Sequence, residues 1–417
     1  MAAQYDLVVF GATSFVGQIL SHYLAQQFGL NGELTWAIAG RSERKLQALR
    51  GSLLQELGDD AKHLPIIVAD ASDETALQQL CNNTRVVVST VGPYALYGET
   101  LVKTCAATGT DYCDLTGEPQ WIRAMIDRYQ DQAVASGARI VHCCGFDSIP
   151  SDMGVYHLQQ QAQQQFGQSA KRVKMRVKAA KGGMSGGTVA SIVNLTKEAV
   201  ADPGLRKQLA NPFALCPAGH GFSARQPNQK GAQFDRDFNA WSTPFIMAAI
   251  NTRIVHRSNA LRENAYGADF VYDEAMLTGR GGKGRIMAGA IVAGLAAFMA
   301  GAAIKPSRWL LEKTVLPKPG EGPSPEDQLN GFFDIRFQGT DANGNTITTK
   351  VTGDRDPGYG STGKMLGQAA AALALDYHKD KEKVGKDGGF WTPASIFDER
   401  FIERLTEHAG LTFEVLD

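Results

Sequence analysis

Tyr5-Asp6-Leu7-Val8-Val9-Phe10 runs straight into Gly11-Ala12-Thr13-Ser14-Phe15-Val16-Gly17, and Val16, Ile19, Leu20, Tyr23 and Leu24 then recur at i, i+3, i+4, i+7 and i+8. The spacing predicts a buried strand, a tight glycine turn and an amphipathic helix. Gly11 permits the sharp turn, and Gly17 lets the helix pack closely on the strand. A strand, a glycine turn and a helix N-terminus together form a site for a dinucleotide pyrophosphate. Ala12 and Ser14 stand where further glycines often occur, so the pattern alone also fits a strand-turn-helix of another α/β protein. The following segments have to decide between these readings.

Leu34-Thr35-Trp36-Ala37-Ile38-Ala39 reads as a second buried strand ending in Gly40-Arg41-Ser42. The residue just past the second strand meets the adenine ribose. An acid there binds a free 2′-hydroxyl, whereas an arginine accommodates a 2′-phosphate. Here that residue is Arg41, followed by Ser42, Arg44 and Lys45, with no acid before Glu43. A guanidinium forks onto phosphate oxygens, so NADP(H) is expected over NAD(H). The alternative is that Arg41 to Lys45 starts a helix on a solvated face. Leu64 to Asp70 reads as a third strand, with Asp70 expected near the adenine edge. Thr84 to Val91 reads as a fourth, placing Thr90 at its end. The rigid turn Gly92-Pro93-Tyr94-Ala95-Leu96-Tyr97-Gly98 then falls at the carboxyl end of the sheet, beside the expected nicotinamide.

The chain has 417 residues, 43% hydrophobic and 20% charged, which is a globular composition with room for two domains. A net charge of −1 gives no broad attraction to nucleic acid. None of the six cysteines forms a C-x-x-C pair, and none has zinc-ligand spacing. They read as reduced thiols of a cytoplasmic protein, with Cys143-Cys144 in or near a buried strand. The first strand begins almost at once, so no signal peptide is expected.

The α/β rhythm continues through Ala138 to Cys144, a further strand leading into Gly145-Phe146-Asp147-Ser148-Ile149-Pro150-Ser151-Asp152. We place a boundary near 150, giving a nucleotide-binding domain at 1–150, a second α/β domain for substrate or dimerisation at 151–352, and a C-terminal return at 353–417. Arg172 to Ala180 alternates, with Val173, Met175, Val177 and Ala179 on one face and basic residues on the other. A solvated edge strand explains the basic face more simply than nucleic acid does. Gly182 to Gly187 reads as a flexible turn, and residues 203–285 read as irregular. Phe332 to Phe337 and Thr346 to Val351 flank a strong hairpin signal at Asp341-Ala342-Asn343-Gly344-Asn345.

Ile286 to Ile304 holds 19 residues without a charge, flanked by Lys283, Arg285, Lys305 and Arg308. Its six strongly apolar residues give only about −2 to −4 kcal/mol of insertion preference, and the glycines oppose it. Gly289, Ala293, Ala297 and Gly301 form a smooth face suited to helix packing. A buried or homodimer-interface helix, a segment docked peripherally on a membrane or lipid surface, and a true span all stay open.

The segments Gly11 to Gly17, Ala39-Gly40-Arg41-Ser42, Val91 to Gly98 and Gly145 to Asp152 resemble the saccharopine dehydrogenase-like oxidoreductases, in particular the trans-acting enoyl reductase branch. Gly353-Asp354-Arg355-Asp356-Pro357-Gly358-Tyr359 and Gly389-Phe390-Trp391-Thr392-Pro393-Ala394 are similar to that branch's C-terminal pattern. The resemblance implies an α/β fold. A Rossmann-type doubly wound parallel sheet binds NADP(H), and a second α/β domain is inserted before a C-terminal return to the first. Its nucleotide contacts carry over to the Gly11–Gly17 loop and Arg41, and more loosely to Thr90 through Tyr94, which includes Gly92 and Pro93. The basic set that holds a tricarboxylate in true saccharopine enzymes has no match here. The expected activity is NADPH-dependent hydride transfer to an enoyl or similar lipid-like or carrier-bound acyl substrate. Alternatives are a saccharopine reductase-like imine or amino-acid dehydrogenase and a non-catalytic, membrane-associated NADP-binding protein. Enoyl reduction needs a donor at the carbonyl oxygen and an acid at the α-carbon. Tyr94, Tyr97, His142 and Asp147 are the candidates, with Asp114 and Glu118 on a similar strand end.

Overall fold

The computed structural model describes residues 3–183, 186–303, 322–379 and 387–416. The chain forms two compact units, Met1–Phe146 with Gly358–Ala409, and Asp147–Pro357 with Gly410–Asp417.

The first unit is a doubly wound sheet. Its opening strands are β1 (Tyr5–Phe10), β2 (Trp36–Gly40), β3 (Ile66–Val68), β4 (Thr84–Ser89), β5 (Asp111–Asp114) and β6 (Arg139–Val141). Runs such as Leu7-Val8-Val9 and Val86-Val87-Val88 are apolar on both faces and fully buried, as a parallel sheet covered by helices requires. The strands order as β6-β5-β4-β1-β2-β3, all parallel. The order reverses direction between β1 and β4, and ligands bind at such a switch point.

In the second unit β7 (Arg172–Lys181), β8 (Gln233–Asp235), β9 (Ala240–Pro244), β10 (Val271–Gly279), β11 (Phe332–Thr340) and β12 (Thr346–Gly353) build a mixed sheet. β11 and β12 form the expected hairpin around Asp341, whose carboxylate accepts from the amides of Asn343 and Asn345. The helix Ile149–Phe166 packs closely on β11, and a Cβ at Gly154 would stand 2.4 Å from Phe337 Cζ.

Two readings of this half are corrected. β7 is not an edge strand, because it lies in mid-sheet between β11 and β10. Its basic face is neutralised from neighbouring strands: Arg176 pairs with Asp235 and Asp273 at 2.7 Å each, and Lys174 reaches Asp235 at 3.3 Å. Residues 203–285 are irregular only in part, with 211–232 free of helix and strand. They hold β8, β9, β10 and the helix Ala248–Leu261, whose Ile250, Ile254 and Val255 face inward.

The chain then returns. Gly389–Trp391 forms β13, parallel to β6 at the edge of the first sheet. The helix Thr362–Lys379 lies against the helix Phe15–Phe28, with Gly363 and Gly367 admitting Ile19 and Tyr23. The last strand, β14 (Leu411–Leu416), corrects the expected return of 353–417: it pairs antiparallel with β12 in the second sheet. Residues 354–357 also stay with the second unit, and the amide of Asp356 donates to Gln328 O.

The apolar stretch 286–304 forms the helix Gly281–Ala303, while Ile304, Lys305 and Arg308, like Met184 and Ser185 of the glycine turn, lie outside the described residues.

Glu274 on β10 lies in the second unit's polar interior. Its carboxyl accepts from Tyr272 Oη at 2.7 Å and Asn251 Nδ2 at 3.0 Å, and burial pushes its pKa up from 4.5 to about 7. A folded-state pKa above the unfolded value means that the folded protein holds the proton more tightly. This contribution is therefore full below pH 4.5 and lost as pH rises through about 7. It amounts to about 3 kcal/mol. Urea unfolding of the wild type is expected to weaken over that window, with a flatter profile for Glu274→Gln; equal slopes would contradict the assignment.

Candidate functional site

Gly11 follows β1 and Thr90 follows β4, so the two meet at the switch point, where Thr90 N donates to Phe10 O at 2.9 Å. The Thr90 hydroxyl donates to Gly11 O at 2.9 Å and accepts from Ser14 Oγ at 2.9 Å. Ser14 Oγ in turn accepts from Gly17 N at 2.9 Å, capping the helix Phe15–Phe28. This chain of hydroxyls explains why a serine stands where a further glycine was anticipated: Ser14 closes the loop and satisfies an orphan amide of the helix.

The glycines have different duties. Gly11 is left-handed, with φ at 83°, and a Cβ there would lie 2.5 Å from Val91 Cγ2. A Cβ at Gly17 would meet the Gly11 carbonyl at 2.3 Å. Ala12 is fully buried, so it seats the turn against the core. Gly11 N and Ala12 N are anchored on Ala39 O at 3.0 and 3.1 Å, tying the turn to β2. Phe15 packs edge-on against Tyr359 with ring centroids 5.2 Å apart, a contact supplied by the returning chain. Thr13 and Val16 complete the loop and the first helical turn.

Arg41 is the first residue beyond β2. It is exposed, and among the described residues its guanidinium takes no ion pair. Ser42 starts the helix Glu43–Ser52 without spending its side chain on a cap. Asp70 is committed elsewhere: its Oδ1 accepts from Ser72 Oγ at 2.7 Å and Ser72 N at 2.9 Å. Those bonds, and more weakly the charge of Arg41, hold its carboxyl below the usual range. The residues thus fit an NADP(H) phosphate set. A capped helix N-terminus and tight glycine turn would receive the pyrophosphate, and an uncommitted cation with a hydroxyl beside it would receive the 2′-phosphate.

Beyond β4, Gly92 and Pro93 lead into the short helix Tyr94–Tyr97. Buried Glu118 holds that helix, its two carboxylate oxygens accepting from Tyr94 N and Ala95 N at 2.9 Å each. Two of the four expected catalytic side chains are placed in the interior. Tyr94 is buried and its hydroxyl donates to Ser89 O at 2.9 Å, so it fastens the turn instead of facing a substrate. His142 is 2% exposed. Its Nδ1 bonds Asp114 Oδ2 at 2.7 Å, and its ring sits among Tyr112, Trp121 and Phe390. Asp114 also accepts from Tyr112 Oη and Thr116 N, which makes it a structural hub. Asp147 is half-buried and opens the second unit. Tyr97, by contrast, is 52% exposed, beside Leu96 at 57%.

Cys143 and Cys144 are fully buried, and burial pushes the Cys144 thiol well up. Cys143 adopts φ 63° and its Sγ donates to Thr116 O at 2.9 Å. Of the positioning parts, Thr90 and Glu118 stand at strand ends that the sequence marks, whereas the packing of Tyr359 on Phe15 has no local signal.

Residues 7–141 match the family described as the saccharopine dehydrogenase NADP-binding domain. Over 420 residues, 99% of this chain and 97% of the relative, the chain is 40% identical to a Mycobacterium tuberculosis protein provisionally named a trans-acting enoyl reductase. It is 35% identical over 415 residues to the trans-acting enoyl reductase of Mycobacterium ulcerans, covering 97% and 96% of the two chains. The apo saccharopine dehydrogenase (L-Glu forming) of Saccharomyces cerevisiae shares the fold, with a TM-score of 0.50 at 14% identity over 99% of this chain and 100% of that one.

Removing the Ser14 cap in Ser14→Ala is expected to lower unfolding stability by about 1 kcal/mol. Gly11→Ala, which forces a Cβ into a left-handed, crowded position, is expected to weaken NADPH binding more than it lowers the melting temperature. Binding unaltered in Gly11→Ala would contradict the role given to the turn.

Proposed function

The chain belongs to the trans-acting enoyl reductase branch of the saccharopine dehydrogenase-like oxidoreductases and is an NADP-dependent oxidoreductase, and on that premise we propose that it uses NADPH to reduce an enoyl or similar unsaturated, lipid-like or carrier-bound acyl substrate. The observation that carries the cofactor choice is Arg41, exposed and without an acid partner among the described residues, in the position that meets the adenine ribose. The substrate class rests on the names of the relatives.

When bound, the nicotinamide supplies a hydride for the β-carbon of the acyl group. The chain's own residues do the rest. The amides at the start of the helix Phe15–Phe28 hold the pyrophosphate, and Arg41 with Ser42 clamps the 2′-phosphate. Gly92 and Pro93 shape the border of the nicotinamide end. Glu118, by accepting from two amides, fixes the short helix that carries Tyr97. Negative charge collects on the carbonyl oxygen as the β-carbon gains its hydride, and a proton then has to reach the α-carbon. Tyr97 is our choice for that donor, since Tyr94 is buried with its hydroxyl bonded to Ser89 O, and His142 is buried with Nδ1 bonded to Asp114. Leu96 beside it offers an apolar border for an acyl chain.

Two outcomes test this reading. Arg41→Ala is expected to weaken NADPH roughly ten- to a hundred-fold, the worth of hydrogen bonds to a charged partner, while leaving NADH almost unchanged. Fluorescence titration of both nucleotides measures the ratio, and an undiminished NADPH preference would refute the 2′-phosphate role. Tyr97→Phe is expected to lower kcat with enoyl thioesters about a hundred-fold or more at unchanged NADPH affinity. NADPH oxidation with keto acid plus amine, and none with enoyl thioesters, would favour an imine reductase instead.

A further inference from the structure

The helix Gly281–Ala303 has no use in the nucleotide site, and its surface is unusual. By length and composition Gly281–Gly301 could cross a bilayer, yet only 11% of its most apolar 18-residue window is buried. Ile286 is 75% exposed, Met287 54% and Met299 45%. A core helix of that composition would be covered, and monomers rarely display so continuous an apolar surface without a partner.

Its base is firmly set. Thr278 Oγ1 donates to Gly284 O at 2.9 Å, and the Arg285 guanidinium stacks over Trp241 at 5.5 Å. A Cβ at Gly284 would meet Gly279 O at 2.2 Å, so the first turn folds back tightly on the end of β10.

Charge selects the partner. Between Ala275 and Leu311 the sequence has no acid, while Arg280, Lys283, Arg285, Lys305 and Arg308 lie on both flanks of the apolar run. Arg280, Lys283 and Arg285 are all exposed. Two copies of this helix side by side would set these cations against one another in a parallel pair. An antiparallel pair would bring them to the other flank, which offers Lys305 and Arg308 and again no acid. Self-association thus meets like charge in either orientation. An anionic headgroup layer over an acyl interior complements both the cations and the apolar surface.

Topology decides how the helix meets that layer. β10 precedes it and β11 follows, and both pair with β7, so the chain leaves and rejoins the same sheet. A single crossing would oblige residues 304–331 to come back through about 30 Å of hydrocarbon. That stretch carries Lys305, Arg308, Glu312, Lys313, Lys318, Glu321, Glu326 and Asp327, with no apolar run long enough for a second helix. Hydrocarbon does not admit an unpaired backbone with such charges.

We propose that the helix Gly281–Ala303 is a one-sided membrane anchor that lies along a single leaflet of a phospholipid bilayer, with Arg280, Lys283 and Arg285 among anionic headgroups. This anchoring is independent of the nucleotide reading, and its readout involves no cofactor.

The test is co-sedimentation of the full chain with vesicles of phosphatidylcholine alone or mixed with phosphatidylglycerol. Binding is expected to the mixed vesicles and not to the neutral ones, reversed by high salt. Lys283→Ala is expected to weaken it about five-fold, the factor corresponding to about 1 kcal/mol per basic residue near an anionic surface. Ile286→Asp, at an exposed position that folding does not need, is expected to abolish it. Absence of binding, equal binding to both vesicles, or a salt-stable dimer that Ile286→Asp dissolves would each overturn the proposal. Resistance to alkaline carbonate extraction from cell membranes would overturn the one-sided placement in favour of a span.

Discussion

The first unit depends on a steric constraint at the switch point of its sheet. The first helix can reach the strand ends only because no Cβ separates Gly17 from the Gly11 carbonyl, and the turn can form only because Gly11 adopts a left-handed backbone. With β1 and β4 adjacent, the Thr90 hydroxyl bridges both ends of the turn, and Ser14 relays that bridge to the helix amide. The helix N-terminus is therefore aimed by backbone contact and two short hydroxyl bridges. A positive dipole end fixed in this way is a preorganised anion site. The adjacent β2 then carries Arg41 to the same edge of the sheet, since the turn is anchored on Ala39 O one residue before β2 ends.

The first unit is discontinuous in sequence, and close contacts seal it. The chain leaves at Phe146 and returns at Gly358. Phe146 N donates to Thr362 Oγ1 at 3.0 Å, so the two crossings are stitched at one place. Gly363 and Gly367 then bring the helix Thr362–Lys379 onto Ile19 and Tyr23. Arg404 joins the last helix of the unit, Glu399–Ala409, to it through Asp376 and Gln368. The nucleotide helix is thereby packed by segments more than three hundred residues away in sequence.

Both units bury charge, and in both the charge is compensated locally. Arg139 forks onto Asp111 in the first unit, and Arg176 bridges Asp235 and Asp273 in the second. Removing one partner of such a pair leaves an uncompensated buried ion, so the pairs specify which strands neighbour one another. The same economy explains why titratable residues near the strand ends are poor guides to chemistry here. His142, Asp114 and Tyr94 have the residue types of a catalytic site, yet each is buried and makes a hydrogen bond that holds the sheet margin. Among the described residues, the exposed side chains of Tyr97 and Arg41 make no hydrogen bond or ion pair.

The amino-acid sequence by itself determined the apolar runs of β1, β2 and β4, the glycine turn and the cation past β2 in the nucleotide unit, and the hairpin around Asp341 in the second unit; all follow from local periodicity and backbone sterics. These are short-range effects, so residues a few positions apart disclose them. The tertiary structure alone decided that β7 lies in mid-sheet, because its basic face is indistinguishable from an edge until Asp235 and Asp273 arrive from distant strands. It alone decided that β14 joins the second sheet, that Tyr94 and His142 face inward, and that the apolar helix stands uncovered. Burial and pairing are set by what approaches across the fold, and a side chain's own neighbours in sequence carry no record of that.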